Sequence, residues 1–166
     1  MKTTAFFTRV LSWLTGSRLT VDNSVVRELD LDRFLGSWYE VARFDHFFER
    51  GMSQTKANYV LRDDGNIDVI NTGIKNGKPK TAKGLAKLTD IPSLLRVSFF
   101  GPFYSDYRVM LVDADYRYML IGSGSDGYLW ILSRTPQLAD SDRTAILSEA
   151  KCRGYDTDKL IWVKQD

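Results

Sequence analysis

Gly36-Ser37-Trp38-Tyr39-Glu40-Val41-Ala42-Arg43-Phe44 is the stretch on which the fold turns. Aromatic and β-branched residues alternate there with small or charged ones, the pattern of a strand. Trp38 sits two residues after a glycine, at the strand's start, where a large ring needs room and a covering partner. Glu40 and Arg43 then interrupt a run otherwise fit for a core. A face carrying Trp38, Glu40 and Ala42 in succession suits a barrel with a plugged end and a cavity above it. A solid sandwich core has little use for the glutamate.

Downstream the chain repeats the theme as short strands separated by turn residues. In Thr55–Arg62, Thr55, Ala57, Tyr59 and Leu61 share one face. Asp63-Asp64-Gly65-Asn66 is a hairpin turn, and Ile67–Ile74 pairs back. Lys75-Asn76-Gly77-Lys78-Pro79 turns again into Thr81–Leu88, whose Ala82, Gly84 and Ala86 leave space on one face. That space is either open cavity or room for a larger neighbour. Leu94–Phe100, Tyr107–Val112, Tyr118–Ser123 and Tyr128–Arg134 complete a set of eight strands with hairpin-length connections. The predicted fold is all-β: an eight-stranded antiparallel up-and-down barrel, the arrangement that removes sheet edges. Eight strands enclose an interior wide enough for side chains alone or for one small ligand.

Thr135-Pro136 stops the last strand. Asp140-Ser141-Asp142 offers an N-cap to a helix running to Arg153, with Ile146, Leu147 and Ala150 at helical spacing and Gly154 as its end. One apolar face implies packing on the outside of the barrel. Leu160–Val163 is a short terminal strand or tail suited to pair beside the first strand. Residues 1–28 divide from the domain at 29–166. Their first 20 residues or so read as a signal-like segment, as an amphipathic helix with Phe6, Phe7, Val10, Leu11 and Leu14 on one side, or as disorder.

Composition bounds the function. The 166 residues suit one domain, with 43% hydrophobic and 27% charged residues. Aromatics reach 13%, a surplus that favours a β-rich fold. A net charge of +2 gives no call for nucleic acid as a partner. Cys152 is the one cysteine and makes no internal disulfide. No run of about 18 or more apolar residues occurs. His46 is the sole histidine, so no multi-histidine metal site is expected, and no cofactor. It reads as a loop-packing or surface residue.

Gly36-x-Trp38-Tyr39, preceded by Leu31-Asp32-Arg33-Phe34-Leu35, resembles the first signature of the lipocalins. The longer run through Asp45-His46-x-Phe48-Glu49-Arg50-Gly51 is similar to the bacterial outer-membrane branch of that family, related to apolipoprotein D. Val97–Tyr104 and Tyr128–Pro136 extend the likeness, which covers about residues 29 to 164. The resemblance implies a structural floor in which Arg134 lies over Trp38, with Gly36 beside them and Asp115-Tyr116 as the second signature in a turn at the same closed end. It also implies a cavity, the calyx, whose lining is inferred by strand alternation as Glu40, Ala42, Phe44, Tyr59, Asn71, Phe99, Leu111 and Trp130. The expected ligand is a fatty acid or lysophospholipid, bound without catalysis for storage or transport, with a role in membrane maintenance. Phe47, Phe48, Phe103 and Tyr104 would form a rim that meets membrane lipid or a second subunit as a homodimer, or packs on itself.

Two other classes stand beside the carrier. A barrel enzyme would act on a small apolar substrate, although no nucleophile elbow, zinc spacing or phosphate loop is present. A protein-interaction module would use the rim. The resemblance favours the cell envelope, periplasm or outer membrane. No lipobox cysteine stands in residues 1–28, so no diacylglycerol anchor is expected there, and with Arg9 breaking the apolar run the cytoplasm is the alternative.

Overall fold

A computed structural model describes residues 20–166. A one-turn helix, α1 (Leu31–Phe34), leads into β1 (Gly36–Phe44). There follow β2 (Ser53–Leu61), β3 (Ile67–Lys75), β4 (Lys78–Lys87), β5 (Leu94–Phe100), β6 (Phe103–Val112), β7 (Tyr118–Gly122) and β8 (Leu129–Ser133). Each pairs antiparallel with the next, and β1 pairs with both β8 and β2, so the sheet closes on itself. This is the up-and-down barrel expected from the strand pattern. Helix α2 (Asp140–Cys152), a 3-10 turn at Thr157–Lys159 and β9 (Leu160–Trp162) complete the chain.

Local chemistry sets the connections. Asn76 and Gly77 both have positive φ, +52° and +71°, which a two-residue hairpin turn requires and this pair tolerates. At the β2–β3 turn the Asp64 carboxylate accepts from the Asn66 amide at 2.9 Å. Helix α2 begins one residue past Ala139, which has no side chain able to cap it. Asp140 and Asp142 are therefore not its N-cap; they favour the helix by charge in its first turn.

Two apolar clusters hold the barrel. Inside, Trp38, Tyr59, Val69, Leu95, Val109 and Leu132 pack with Phe34 of α1 at the closed end. Outside, Ile146 and Ala150 of α2 pack with Tyr155 and Leu160 on outward side chains such as Leu120, Leu129 and Ile131.

Ala42, Phe44 and Leu111 belong to this outer cluster. The expectation that they face the calyx is corrected, and the reason is local. A bulge between Glu40 and Ala42 and another between Val109 and Leu111 shift the register against the neighbouring strands. One extra residue exchanges the faces of everything beyond it. Arg43 takes the inward position that uninterrupted alternation assigns to Ala42 and Phe44.

Residues 20–28 run against the barrel rather than apart from it. Val26 donates to the Val109 carbonyl at 3.0 Å, Asp22 to Arg153 at 2.8 Å, and Arg108 Nε to the Asn23 carbonyl at 2.8 Å. By contact, the docked part of the chain thus begins before residue 29. The expectations for a signal-like or amphipathic segment fall on residues 1–19, outside the described residues.

β1 is paired with β2 only over Gly36–Tyr39. Above that point β9 lies along it, matching Ala42 with Trp162 and Phe44 with Leu160. The tail continues the seam: Gln54 donates to the Lys164 carbonyl at 2.6 Å, and Gln165 Nε2 donates to the carbonyls of Glu40 and Thr55, at 2.7 and 3.1 Å.

Candidate ligand site in the barrel

The floor is built from β1, α1 and the residue after β8. Trp38 is fully buried and its Nε1 donates to the Phe34 carbonyl at 2.7 Å. The Arg134 guanidinium lies 3.6 Å from the centre of the indole and donates to the carbonyls of Ser37, at 2.8 Å, and Leu35, at 3.0 Å. Gly36 has φ +93°, and a Cβ there would stand 3.5 Å from Arg134 Nη1. Tyr116 accepts from the Asp30 amide at 2.8 Å and carries Arg33 on its ring. Asp115 is exposed and contributes only its amide, donated to the Asp113 carboxylate. The expectation for Asp115 is corrected: Asp113 grips the turn, through Arg117 at 2.9 Å, and Asp115 does not reach the floor.

Above the floor the lining is mixed. The Tyr59 and Tyr107 hydroxyls meet at 2.7 Å, and burial raises both phenols above their ordinary range. Phe99 points inward over Gly84, where a Cβ would come within 2.9 Å of its ring. Of the two readings of the small residues in β4, the larger neighbour therefore holds at Gly84. Asn71 lies opposite Ala57 on the inward face, and its buried Oδ1 has no protein partner, like Thr55 Oγ1 one layer higher.

The mouth half holds a buried charge cluster. Arg43 Nη1 reaches Glu40 Oε1 at 2.9 Å, while its Nη2 donates to the carbonyls of Glu49, at 2.8 Å, and Met52, at 3.2 Å. Arg43 therefore ties down the β1–β2 loop, residues 45–52, by its backbone. Trp130 Nε1 donates to Glu49 Oε2 at 3.2 Å, and His46 Nε2 lies 2.5 Å from the same oxygen. Burial, and then the neighbouring Glu49 carboxylate, push Glu40 up to about 8 against the pull of Arg43. Burial works to raise Glu49 as well, but His46, Trp130 and Arg43 together bring it below its ordinary value. The pair behaves as two carboxylates sharing one site: one leans neutral so that the other stays charged.

Aromatic rings cover this cluster. His46 is buried against Phe48, Tyr128 and Trp130, with centroids 3.9, 5.6 and 5.7 Å away, and Tyr128 stacks on Trp130 at 5.7 Å. The structure thus places Glu40, Tyr59, Asn71, Phe99 and Trp130 on the interior face. Arg43, Glu49, Tyr107 and Thr55 join them without having been named for it. The signal for Arg43 and Glu49 in the sequence was two opposite charges three apart in an apolar strand, followed by another carboxylate in the next loop.

Two hollows, of about 380 and 290 Å³, lie on the outer surface. One is lined by Thr135, Pro136, Gln137, Gln165 and Asp166, and the other lies across β2–β4 beside Gln165. Among the described residues no group of three or more His, Cys, Asp or Glu side chains gathers as a metal site, and no helix is long and apolar enough to cross a membrane. Cys152 is exposed at the end of α2.

Residues 29–165 match the family described as a lipocalin-like domain. The chain is 49% identical over 146 residues to the outer membrane lipoprotein Blc of Citrobacter freundii, covering 86% of this chain and 82% of that protein. It is 42% identical to the protein of the same name from Vibrio cholerae, covering 97% and 98%. Mouse apolipoprotein D is 30% identical, with 85% and 79% covered. In structure the barrel overlays lobster apocrustacyanin A1 with a TM-score of 0.67 at 20% identity, over 81% of this chain and 79% of that one. The closed eight-stranded barrel, the Arg134-over-Trp38 floor and these matches agree, and the chain belongs to the lipocalin-like family, whose members bind small hydrophobic ligands.

Proposed function

We propose that this protein is a non-catalytic carrier that stores or transports a fatty acid or lysophospholipid in its barrel, in the cell envelope, as part of membrane maintenance. The observation that carries the proposal is the division of the interior. Trp130 and Phe99 offer apolar wall, while the charged groups of the interior gather in one cluster of Glu40, Arg43 and Glu49. Shape and area bind an acyl chain, and one polar cluster orients its head. Apolar burial supplies about 0.8 kcal/mol per methylene before entropic costs, so micromolar affinity, about −8 kcal/mol, is within reach of a long chain. The names of the bacterial relatives, outer membrane lipoproteins, support an envelope location.

The test has two parts. Lipid analysis of solvent extracts from protein purified from its own host identifies what it carries. Titration with fatty acids from about eight to about sixteen carbons should show affinity rising with length. Flat affinity across that series sinks the carrier reading. Turnover of an apolar substrate, lost on changing one interior side chain, would replace it with the enzyme.

A further inference from the structure

The open end of the barrel joins two features that the ligand site does not use. The first is aromatic. Phe47, Phe100 and Phe103 are 77%, 79% and 77% exposed, and Phe48 is 49% exposed. They occupy the β1–β2 and β5–β6 connections, which the up-and-down topology puts at the same end. The second is basic. The β3–β4 hairpin turns at that end too, carrying Lys75, Lys78, Lys80 and, farther down β4, Lys83, and Lys78–Lys83 is an unbroken exposed run.

None of these four lysines has a carboxylate within ion-pair distance among the described residues. The carboxylates in and beside the strand connections at the open end are committed elsewhere. Asp45 is held by Arg50, Asp106 by Arg96 and Arg108, and Glu49 by the buried cluster, while Asp126 accepts from Thr20. Lys75 and Lys78 even face each other directly across the turn, a like-charge pairing that works against the hairpin. Beside them the hollow of about 290 Å³ has Lys56 and Lys80 in its lining, next to Ile74 and Pro79, and no carboxylate.

We propose that the open end is a docking surface for an anionic phospholipid bilayer: the hairpin lysines meet headgroup phosphates, and the aromatic tips of the other two connections enter the interface. Aromatic rings favour that layer, and juxtaposed lysines add attraction to anionic headgroups. A second copy of the chain meets the surface less well, because the carboxylates in its own connections at that end are already committed and offer these lysines little countercharge. Docking in this orientation turns the calyx mouth to the bilayer. The surface stands whether or not the calyx carries lipid.

The test is flotation of the full chain with vesicles of phosphatidylcholine alone or mixed with phosphatidylglycerol. The protein should partition to the anionic vesicles about tenfold or more above the neutral ones, less so as salt is added. Lys78→Glu with Lys80→Glu should lower that partitioning about tenfold or more. Arg27→Glu with Lys87→Glu, the same charge change at the closed end just before α1 and at the foot of β4, should leave it within about twofold. Phe103→Ser should weaken the part that survives high salt. Equal loss in both double variants, or no loss in either, overturns the proposal; the latter assigns any binding to another part of the chain. A dimer in solution that Phe103→Ser dissolves also overturns it and gives the rim to a second copy. Fatty-acid titration of the same variants keeps this outcome separate from that of the calyx.

Discussion

Glu40 and Arg43 meet at 2.9 Å inside the barrel, although they stand three apart on one strand and regular alternation would send them to opposite faces. The bulge between Glu40 and Ala42 makes the pair possible. Arg43 is then the one guanidinium among two buried carboxylates and two loop carbonyls. Arg43→Leu should destabilise the protein by about 3–5 kcal/mol, the usual effect of stripping a buried charge of its partner. Glu40→Gln should cost under about 1 kcal/mol at pH 6, where the carboxyl is mostly neutral already. Urea denaturation of both variants measures the asymmetry, and equal losses would contradict it.

The pH dependence follows from the same cluster. Glu40 binds its proton more tightly folded than unfolded, so its contribution is complete below about pH 4.5 and fades as the pH rises through about 8. Glu49 is shifted the other way, so its contribution holds above about 4.5 and is lost on further acidification. Melting temperature against pH should therefore fall on both sides of a mildly acidic maximum. Glu40→Gln should flatten the alkaline side only.

The floor makes a coupled unit. Trp38→Ala should cost about 3–5 kcal/mol, the effect of emptying a buried aromatic site. Arg134→Ala should cost less. With the guanidinium 3.6 Å from the ring, a double-mutant cycle should give a clear coupling energy, about 0.5 kcal/mol or more. Strict additivity would mean the stacking adds nothing.

Phe44 and Trp130 separate the two faces of the wall. Phe44→Ala should destabilise by about 3–5 kcal/mol through the outer cluster under α2 and leave affinity for a long-chain fatty acid unchanged. Trp130→Ala should weaken that affinity more than it weakens folding, and Trp130 emission should respond to ligand. An affinity loss in the Phe44 variant as large as that in the Trp130 variant would refute the assignment of faces.

Gly84→Ala tests how tightly the interior is filled. The added Cβ meets the Ser98 carbonyl at 2.7 Å and the Phe99 ring at 2.9 Å. Displacing Phe99 should cost about 1–3 kcal/mol, read by thermal melting.

Most of the architecture could be read from alternation, because alternation is a local property. The hairpin turns, the strand count and the inward positions of Tyr59 and Asn71 all lie in uninterrupted stretches, and Phe99 keeps its inward side although β5 shifts register against β6 between Val97 and Phe100. The reading failed beyond Val41 and Met110, where an extra residue reverses the faces and no glycine or proline marks it. Ala42, Phe44 and Leu111 went to the wrong side for that single reason. Asp115 was misjudged differently: beside Asp113 the two carboxylates look alike in sequence, and only Arg117 distinguishes them. Arg43 and Glu49 could be seen as anomalies in an apolar context, but not as partners. Their meeting depends on the loop folding back over the mouth.

The seam between β1 and β2 carries a consequence for how the wall is assembled. Its open half is stitched by residues such as Gln165, which lies 125 positions from the Glu40 carbonyl that it bonds. Contacts so far apart along the chain form late, since a large loop must close before they are rewarded. Until they form, the upper part of β1 presents free amides and carbonyls along an unpaired edge, the kind on which chains aggregate. The terminal segment thus acts as an internal chaperone for the first strand, and shortening or burdening it would show first in refolding yield, before equilibrium stability.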